Sequence, residues 1–408
     1  MTTSSPRLHY GWHIVWSSTL GIFACLGLGR FALGMLLPAM GASLGLDYSQ
    51  MGLISTINFT GYLLAVLVCG TVAARIGHRA TIALALLIVG LSMMLIGISH
   101  AYLMILVLYF FTGLGSGGAN VPIMALSSSW FTSSRRGRAT GFVVIGSGFA
   151  ILLAGKLVPW LNSRGGAEGW RSGWLVLGGL VLVVFLIDAL VLRNSPRDMG
   201  LEPYGEKAPV ADRGEWCEPE KRISRKNLAH LGALYFLFGA TYVVYVTFIV
   251  TSMIRDRGFS EALAGNFWAW VGGLSLMSGP IFGTMSDRFS RRSALVTVFA
   301  IQAISYLFAG WQGLPHFFLY LSIGCFGITA WSIPSIMAAL VGDLAGPRHA
   351  ARVFGFITFI FSLGQISAPA AAGLMAERSG SFFSSFLITA FLAGLGAILA
   401  SRLPKVTS

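Results

Sequence analysis

Charge is what this chain has least of. Only 11% of its 408 residues are Asp, Glu, Lys or Arg, against about 25% in an average soluble domain. That argues against a fold wrapped in water. Acidic residues are scarcer still, 15 against 28 Lys and Arg, for a formal charge of +13. In a soluble chain that balance would suggest nucleic acid, but here the basic residues are too sparse and too segregated for a phosphate-binding face. Cysteine is rare. Cys25, Cys69 and Cys325 lie inside apolar runs, Cys217 does not, and none has metal-ligand spacing, so a disulfide scaffold is excluded. The seven histidines are scattered with no metal-binding pair on one helical face, and no nucleophile, base and orienting group can be assembled. No enzyme chemistry, metal or cofactor is expected. A hydrophobic content of 55% rules out disorder and collagen.

What the chain has instead is long apolar runs. About 20 mostly apolar residues cross about 30 Å of hydrocarbon, and runs bounded by charged, Pro or Gly clusters give twelve spans. They fall at about 11–40, 50–73, 80–98, 101–128, 139–162, 172–193, 228–254, 262–285, 293–310, 315–341, 353–375 and 381–401. The opening MTTSSPRLHYGW has no cleavage-site pattern, and the run after it is too long for a signal-peptide core, so a retained first helix is expected.

Alternate loops differ sharply in basic residues. With both ends of the chain on one side, one set of loops holds 21 of the 28, the other set only Arg164, Arg171, Arg255, Arg257 and Arg378, and the spans Arg30 and Lys156. Basic residues resist translocation, so both termini are expected in the cytoplasm, in a bacterial-type inner membrane. The only long polar stretch, Ser195 to Lys226, carries seven acidic and seven basic residues and reads as a cytoplasmic linker. It divides the chain into six-helix bundles at 1–194 and 227–408, expected to act as a monomer. An offset of about 212 to 214 residues makes the halves alike in three places. GTVAARIGHR from Gly70 parallels GTMSDRFSRR from Gly283, Pro122 in VPIMAL parallels Pro334 in IPSIMA, and Gly141 in RATGF parallels Gly355 in ARVFGF.

The loops after the second and eighth spans resemble the hallmark of the major facilitator superfamily: Gly, three residues, Asp, a basic residue, any residue, Gly, any residue, then basic residues. Gly283, Asp287, Arg288, Arg291 and Arg292 match it, with Ser290 in place of the second glycine. The first copy keeps Gly70, Arg75, Gly77 and Arg79 but has Ala74 where the family has its aspartate. The resemblance implies an all-α fold of twelve transmembrane helices in two bundles, working by alternating access. It also implies a latch between halves, in which Asp287 meets the start of the fifth helix around Arg136, Arg138 and Ala139 and favours an outward-open state. Ala74 removes the carboxylate from the matching latch near Ala351. The competing reading makes both loops plain positive-inside anchors.

Three charges fall within spans: Arg30, Lys156 and Asp188. A charge at mid-bilayer costs about 2.5 to 3.5 kcal/mol on insertion scales. Lys156 is near the outer end of the fifth span, and Asp188 is near the inner end of the sixth beside Arg193; both can snorkel or pair locally. Arg30 is deeper, in GLGRFALGMLLPAM, with Gly27 and Gly34 on neighbouring turns of one face. Those small residues would leave room for a ligand, and a guanidinium offers a donor fork that matches a carboxylate or sulfonate. The alternatives are an arginine bonded to carbonyls at the Gly and Pro break, or a gating role.

In the superfamily the first, fourth, seventh and tenth helices line the cavity, helped by the second, fifth, eighth and eleventh. The resemblance therefore nominates Asn58 and Tyr62, Asn120, Tyr242 and Tyr245, Asn266 and Trp270, Trp331 and Gln365. GLGSGG from Gly113 has no strand before it and no Gly-Lys-Ser after it, so it reads as helix packing and not a phosphate loop. No ATP-binding domain is read in this sequence, so transport energy is expected to come from ion or substrate gradients.

A cavity cation without a central carboxylate favours an organic anion over cationic drugs. The fifth span lacks the Gly-Pro-x-x-Gly-Gly pattern of the family's drug and proton antiporters, and NSPRDMGLEPYGE resembles the linker of its bacterial carboxylate porters. Oxalate-type exchangers place basic residues on helices eight and eleven; this chain does not, so a monoanion fits better than a dicarboxylate. The leading expectation is proton-driven transport of a small monocarboxylate-like acid. The others are a proton antiporter exporting drug-like molecules, with Arg30 structural, and a non-transporting membrane sensor.

Overall fold

The computed structural model describes residues 9–205 and 223–403. Among them are twelve long helices and no strand beyond an isolated bridge between Phe131 and Tyr204. In the first half α1 spans Tyr10–Ser43, α2 Tyr48–Ile76, α3 His78–Ile98, α4 Tyr102–Ser129, α5 Ser133–Gly165 and α6 Gly169–Val191. In the second α7 spans Arg225–Arg255, α8 Glu261–Arg288, α9 Arg291–Gly310, α10 His316–Gly346, α11 His349–Ser379 and α12 Phe383–Ser401. All but α8 fall in stretches long and apolar enough to cross a membrane. Every span read from the sequence is a helix. The largest boundary difference is at α5, read from about 139 and observed from Ser133, because the polar turn SSRRGR continues the helix beyond its apolar run.

In hydrocarbon, backbone groups must find partners within the segment, and the sequence caps the helices that start in polar loops. Asp47 and Gln50 close a capping box on α2, and Ser224 and Ser260 accept N–H bonds at the starts of α7 and α8. Gly77 (φ 84°) ends α2 and Gly346 (φ 67°) separates α10 from α11, conformations that a side chain resists.

Each half packs around glycines that bring backbones together. In the first half a Cβ on Gly61 of α2 would lie 2.2 Å from the Phe110 carbonyl of α4, and one on Gly146 of α5 2.2 Å from Thr19 of α1. In the second half Gly239 of α7 approaches the Phe361 carbonyl of α11 in the same way, the repeat-related partner of the α1–α5 contact. Of the proposed linker, 206–222 lies outside the described residues. Its beginning is docked on the first half: the Tyr204 N–H donates to Trp130, its carbonyl accepts from Thr132, and its ring stands 5.1 Å from His9.

The described ends of the chain share one face with the basic loops; we call it the basic face, and the other the far face. The halves meet on the far face. Gly155 of α5 and Gly265 of α8 seat against each other's carbonyls, Gly52 of α2 lies under the Pro369 carbonyl of α11, and Gly373 of α11 lies under Tyr48. On the basic face Gly70, Gly141, Gly283 and Gly355 have nothing within 4 Å of where a Cβ would be. At these positions nothing on the basic face brings the halves together.

Candidate functional site

Arg30 ends a π-helical stretch, Phe23–Phe31, in the middle of α1. The wide turn bonds Ala32 N–H to Gly27, and α4 supports it: Ser116 donates to the Cys25 carbonyl at 2.7 Å and Tyr109 to the Arg30 carbonyl at 3.3 Å. π turns inside α-helices frequently mark functional sites. The guanidinium carbon stands 3.8 Å from the centroid of the Phe59 ring and 4.4 Å from that of Tyr62. Cation–π contact contributes about 0.5–2 kcal/mol, but rings accept no in-plane hydrogen bond. The residue is 8% exposed, and its Nε and one Nη have no partner. A void of about 10 Å³, room for roughly one water, adjoins Arg30 and is lined also by Gly34, Ser55, Asn58, Tyr109 and Thr247.

Most nominated cavity residues converge here. Asn58 donates to the Tyr109 carbonyl at 3.1 Å and leaves its own oxygen unpaired. Asn120 donates to the Tyr62 hydroxyl at 2.8 Å, and Gln365 to the Tyr242 hydroxyl. Trp331 sits at a break in α10, where its N–H bonds Ser278 of α8. Its ring lies 4.9 Å from Phe31 and 6.1 Å from Tyr242, with the indole nitrogen unpaired. Phe361 extends this wall by stacking on Tyr242 at 6.0 Å. Sequence reading missed Phe31, Phe59 and Phe361, because a phenylalanine inside an apolar run carries no signal of its own.

Other nominations move. Tyr245 is buried inside the second half, bonded to Ser322 at 2.9 Å and packed on Phe326. Trp270 is 65% exposed on the flank of α8. Neither joins the group around Arg30: mid-depth does not decide which face of a helix a side chain takes. Gly27 and Gly34 leave no ligand space either, since Ala150 of α5 fills the first approach and the Val246 carbonyl of α7 the second. Lys156 does not pair locally; it reaches across the halves to Asn266 at 2.5 Å. Asp188 does not pair with Arg193, whose guanidinium goes to the Leu190 and Leu192 carbonyls; it is fully buried and bonded to Ser17 of α1.

The basic-face motif residues are apart from their expected partners. Asp287 pairs with Arg291, which also holds Asp343 at 2.9 Å, and not with the start of α5. Arg79 donates to the Ala189 carbonyl at 2.6 and 2.9 Å, while Arg75, Arg138 and Arg288 are exposed. The latch read from the sequence is not made in this structure.

The far face carries polar cross-links that no motif marked. The Tyr48 N–H donates to Glu377 at 2.9 Å and its hydroxyl to Asp256 at 3.2 Å. Asn162 bonds Glu261, and Ser55 meets Thr247 at 3.2 Å. Burial lifts the Asp256 carboxyl above the usual carboxylate range, against the Phe382 N–H and the Tyr48 hydroxyl, which favour the ion. A legible signal was present: Gly148 and Gly155 on α5 and Gly265 and Gly272 on α8 are each seven residues apart and meet in antiparallel register.

A family model described as "Uncharacterised MFS-type transporter YbfB" matches residues 22–401. A probable sulfoacetate transporter, SauU, of Cupriavidus necator is 25% identical over 91% of this chain and 89% of its own length. A hexuronate transporter of Bacillus subtilis is 23% identical over 92% and 90%. Among solved structures, a bacterial homologue of the lysosomal transporter Spinster, inward-facing and unoccupied, covers 98% of both chains with a TM-score of 0.76 at 18% identity.

Proposed function

The chain belongs to the MFS-type transporter family of the major facilitator superfamily, and from that premise we propose that it carries a small organic anion across the membrane by alternating access, with protons as the coupling ion. The observation that carries this reading is Arg30: a guanidinium where the two halves meet, held between two rings, with two unpaired nitrogens and no carboxylate bonded to it. A carboxylate or sulfonate supplies the acceptors those nitrogens lack, and a pair formed in a dry site is strong. The aromatic wall of Phe31, Trp331 and Tyr242 suits the carbon body of such an acid. The relatives' names agree in chemistry, since sulfoacetate and hexuronate are both organic anions.

On this reading the basic face is cytoplasmic, the protein sits in the inner membrane, and the conformer seen is open to the cytoplasm. The transport direction that suits proton coupling is import.

The test is uptake of labelled monocarboxylates into proteoliposomes, after thermal-shift screening of organic acids for stabilisation. Arg30→Gln is expected to lower uptake about 100-fold, on the scale of losing about 3 kcal/mol of charge-assisted bonding, while eluting and melting like the parent. Arg30→Lys, which keeps charge without the planar fork, falls between. Undiminished uptake by Arg30→Gln overturns the assignment; drug tolerance raised on expression supports the export reading.

A further inference from the structure

The mechanism outlined above leaves one buried carboxyl unused. Asp188 of α6 is 0% exposed. One oxygen accepts from the Ser17 hydroxyl of α1, and the other has no partner. That second oxygen faces α1 so closely that a Cβ on Gly21 would lie 2.8 Å from it and 2.7 Å from Ile123 of α4. Among the described residues no basic group bonds this carboxyl. Arg79 of α3 bonds the Ala189 carbonyl and Arg193 bonds Leu190 and Leu192. On α1, His13 is exposed one turn before Ser17, Cys25 is a buried thiol, and Arg30 belongs to the anion site. α4 offers Ser127, already bonded to Ser18 at 2.9 Å; α5 brings Lys156, bound to Asn266 near the far face, and at its basic-face start Arg135 over the Tyr204 ring, Arg136 bonded to the Ser128 carbonyl and the exposed Arg138. A carboxylate sealed in such a place with one hydroxyl for company is costly, and the neutral acid fits.

The position along α1 gives this acid a consequence. Gly21 lies two residues before the π stretch, and Arg30 is at its other end. A π stretch holds one residue more per turn than α, so rewinding it turns everything before it by roughly 100°. That rotation would carry Ser17 and Gly21 off Asp188 and let water reach the carboxyl.

We propose that Asp188 is the binding site of the coupling proton: its free oxygen takes a proton from water when α1 swings away in the conformer open to the far face, holds it as the neutral acid while α1 packs as seen here, and gives it up to water on the basic face when α1 loosens again before the return. Proton and anion sites then sit at opposite ends of one bistable segment, and one proton moves with one anion, with no net charge transferred. This rests on the transport reading above.

The first measurement needs no substrate: infrared spectra of the purified protein in lipid, following the carboxylic acid C=O stretch as pH is varied over the range in which the protein stays folded. Wild type is expected to show a band that titrates and is missing from Asp188→Asn. Ser17→Ala, which removes a donor that favours the ion, moves the midpoint to higher pH. A missing band, or one that never titrates, overturns the proposal. The second is accumulation of an organic acid in proteoliposomes under an imposed pH gradient. Wild type gains about tenfold per pH unit, and Asp188→Asn gains nothing. Equal gradient-driven accumulation by that variant also overturns the proposal. A titrating Asp188 band in a protein that moves no organic acid removes the anion reading and leaves the proton site standing.

Discussion

The two faces of the molecule use glycine in opposite ways. On the far face Gly52, Gly155, Gly265 and Gly373 lie against backbone of the other half, while on the basic face Gly70, Gly141, Gly283 and Gly355 touch nothing. The second set stands out in the sequence as motif or repeat, and the first set carries the observed contact. On the proposed function, a repeat-matched glycine with open space around it is fitted to a contact made in the other conformer. On the proposed cycle the basic-face set closes when the far-face set parts.

The sharpest way to break this comparison is to put the same bulk on both faces. Gly155→Leu forces a side chain into a space where even a Cβ meets the Gly265 carbonyl at 2.5 Å. Overpacking costs about 1–3 kcal/mol, so the far-face seal is expected to loosen by about 5- to 150-fold, read as faster labelling of a single cysteine placed on that side. Gly141→Leu meets nothing here and, by obstructing basic-face closure in the other conformer, is expected to slow that labelling and transport together, the opposite sign to Gly155→Leu. Equal effects from both would dissolve the distinction.

A smaller effect concerns acid. Burial in the sealed far face raises the Asp256 carboxyl, so a proton binds the sealed form more tightly than a solvated one. The seal gains its full proton-linked stability below the ordinary carboxylate value of about 3.9 and loses it as pH rises through the raised value. Far-side cysteine labelling should therefore speed up as pH rises above the ordinary carboxylate value, with the rise absent from Asp256→Asn.

Smaller again is Asp287→Ala. Its carboxylate is 70% exposed and pairs only with Arg291 in this conformer, which as a surface pair is worth at most about 1 kcal/mol. Melting should hardly change, yet loss of the latch in the other conformer should slow far-side labelling by favouring the state seen here. Smallest is Trp270→Ala: an indole on the outer flank is expected to leave uptake within about twofold, and a larger loss would return that residue to the site.

How much of this was readable without coordinates differs by level. The spans were, because hydrocarbon demands about 20 apolar residues whatever their order. Arg30 stands out because a charge in such a run needs a reason, and it lies beside residues of both halves. Tyr245 and Trp270 were misplaced because one turn of helix separates a cavity face from a core or outer face, and apolar surroundings give no amphipathic pattern to choose between them. Asp188 was misread from its neighbour Arg193, since sequence adjacency does not show that the acid turns inward to Ser17. The polar links at Tyr48 and Asp256 join residues over 200 positions apart, beyond the reach of any local motif.

The ring-flanked guanidinium of Arg30 also has a consequence for what must not pass. A standing positive charge with no countercharge repels a small cation at about 4 Å by about 4 kcal/mol at an effective dielectric of 20, roughly a thousandfold in occupancy. On the proposed function, sodium and hydronium are thereby turned back at the waist while an acid anion is drawn in. The residue that selects the cargo also insulates the membrane, so neutralising it should make the protein leaky to cations as well as idle.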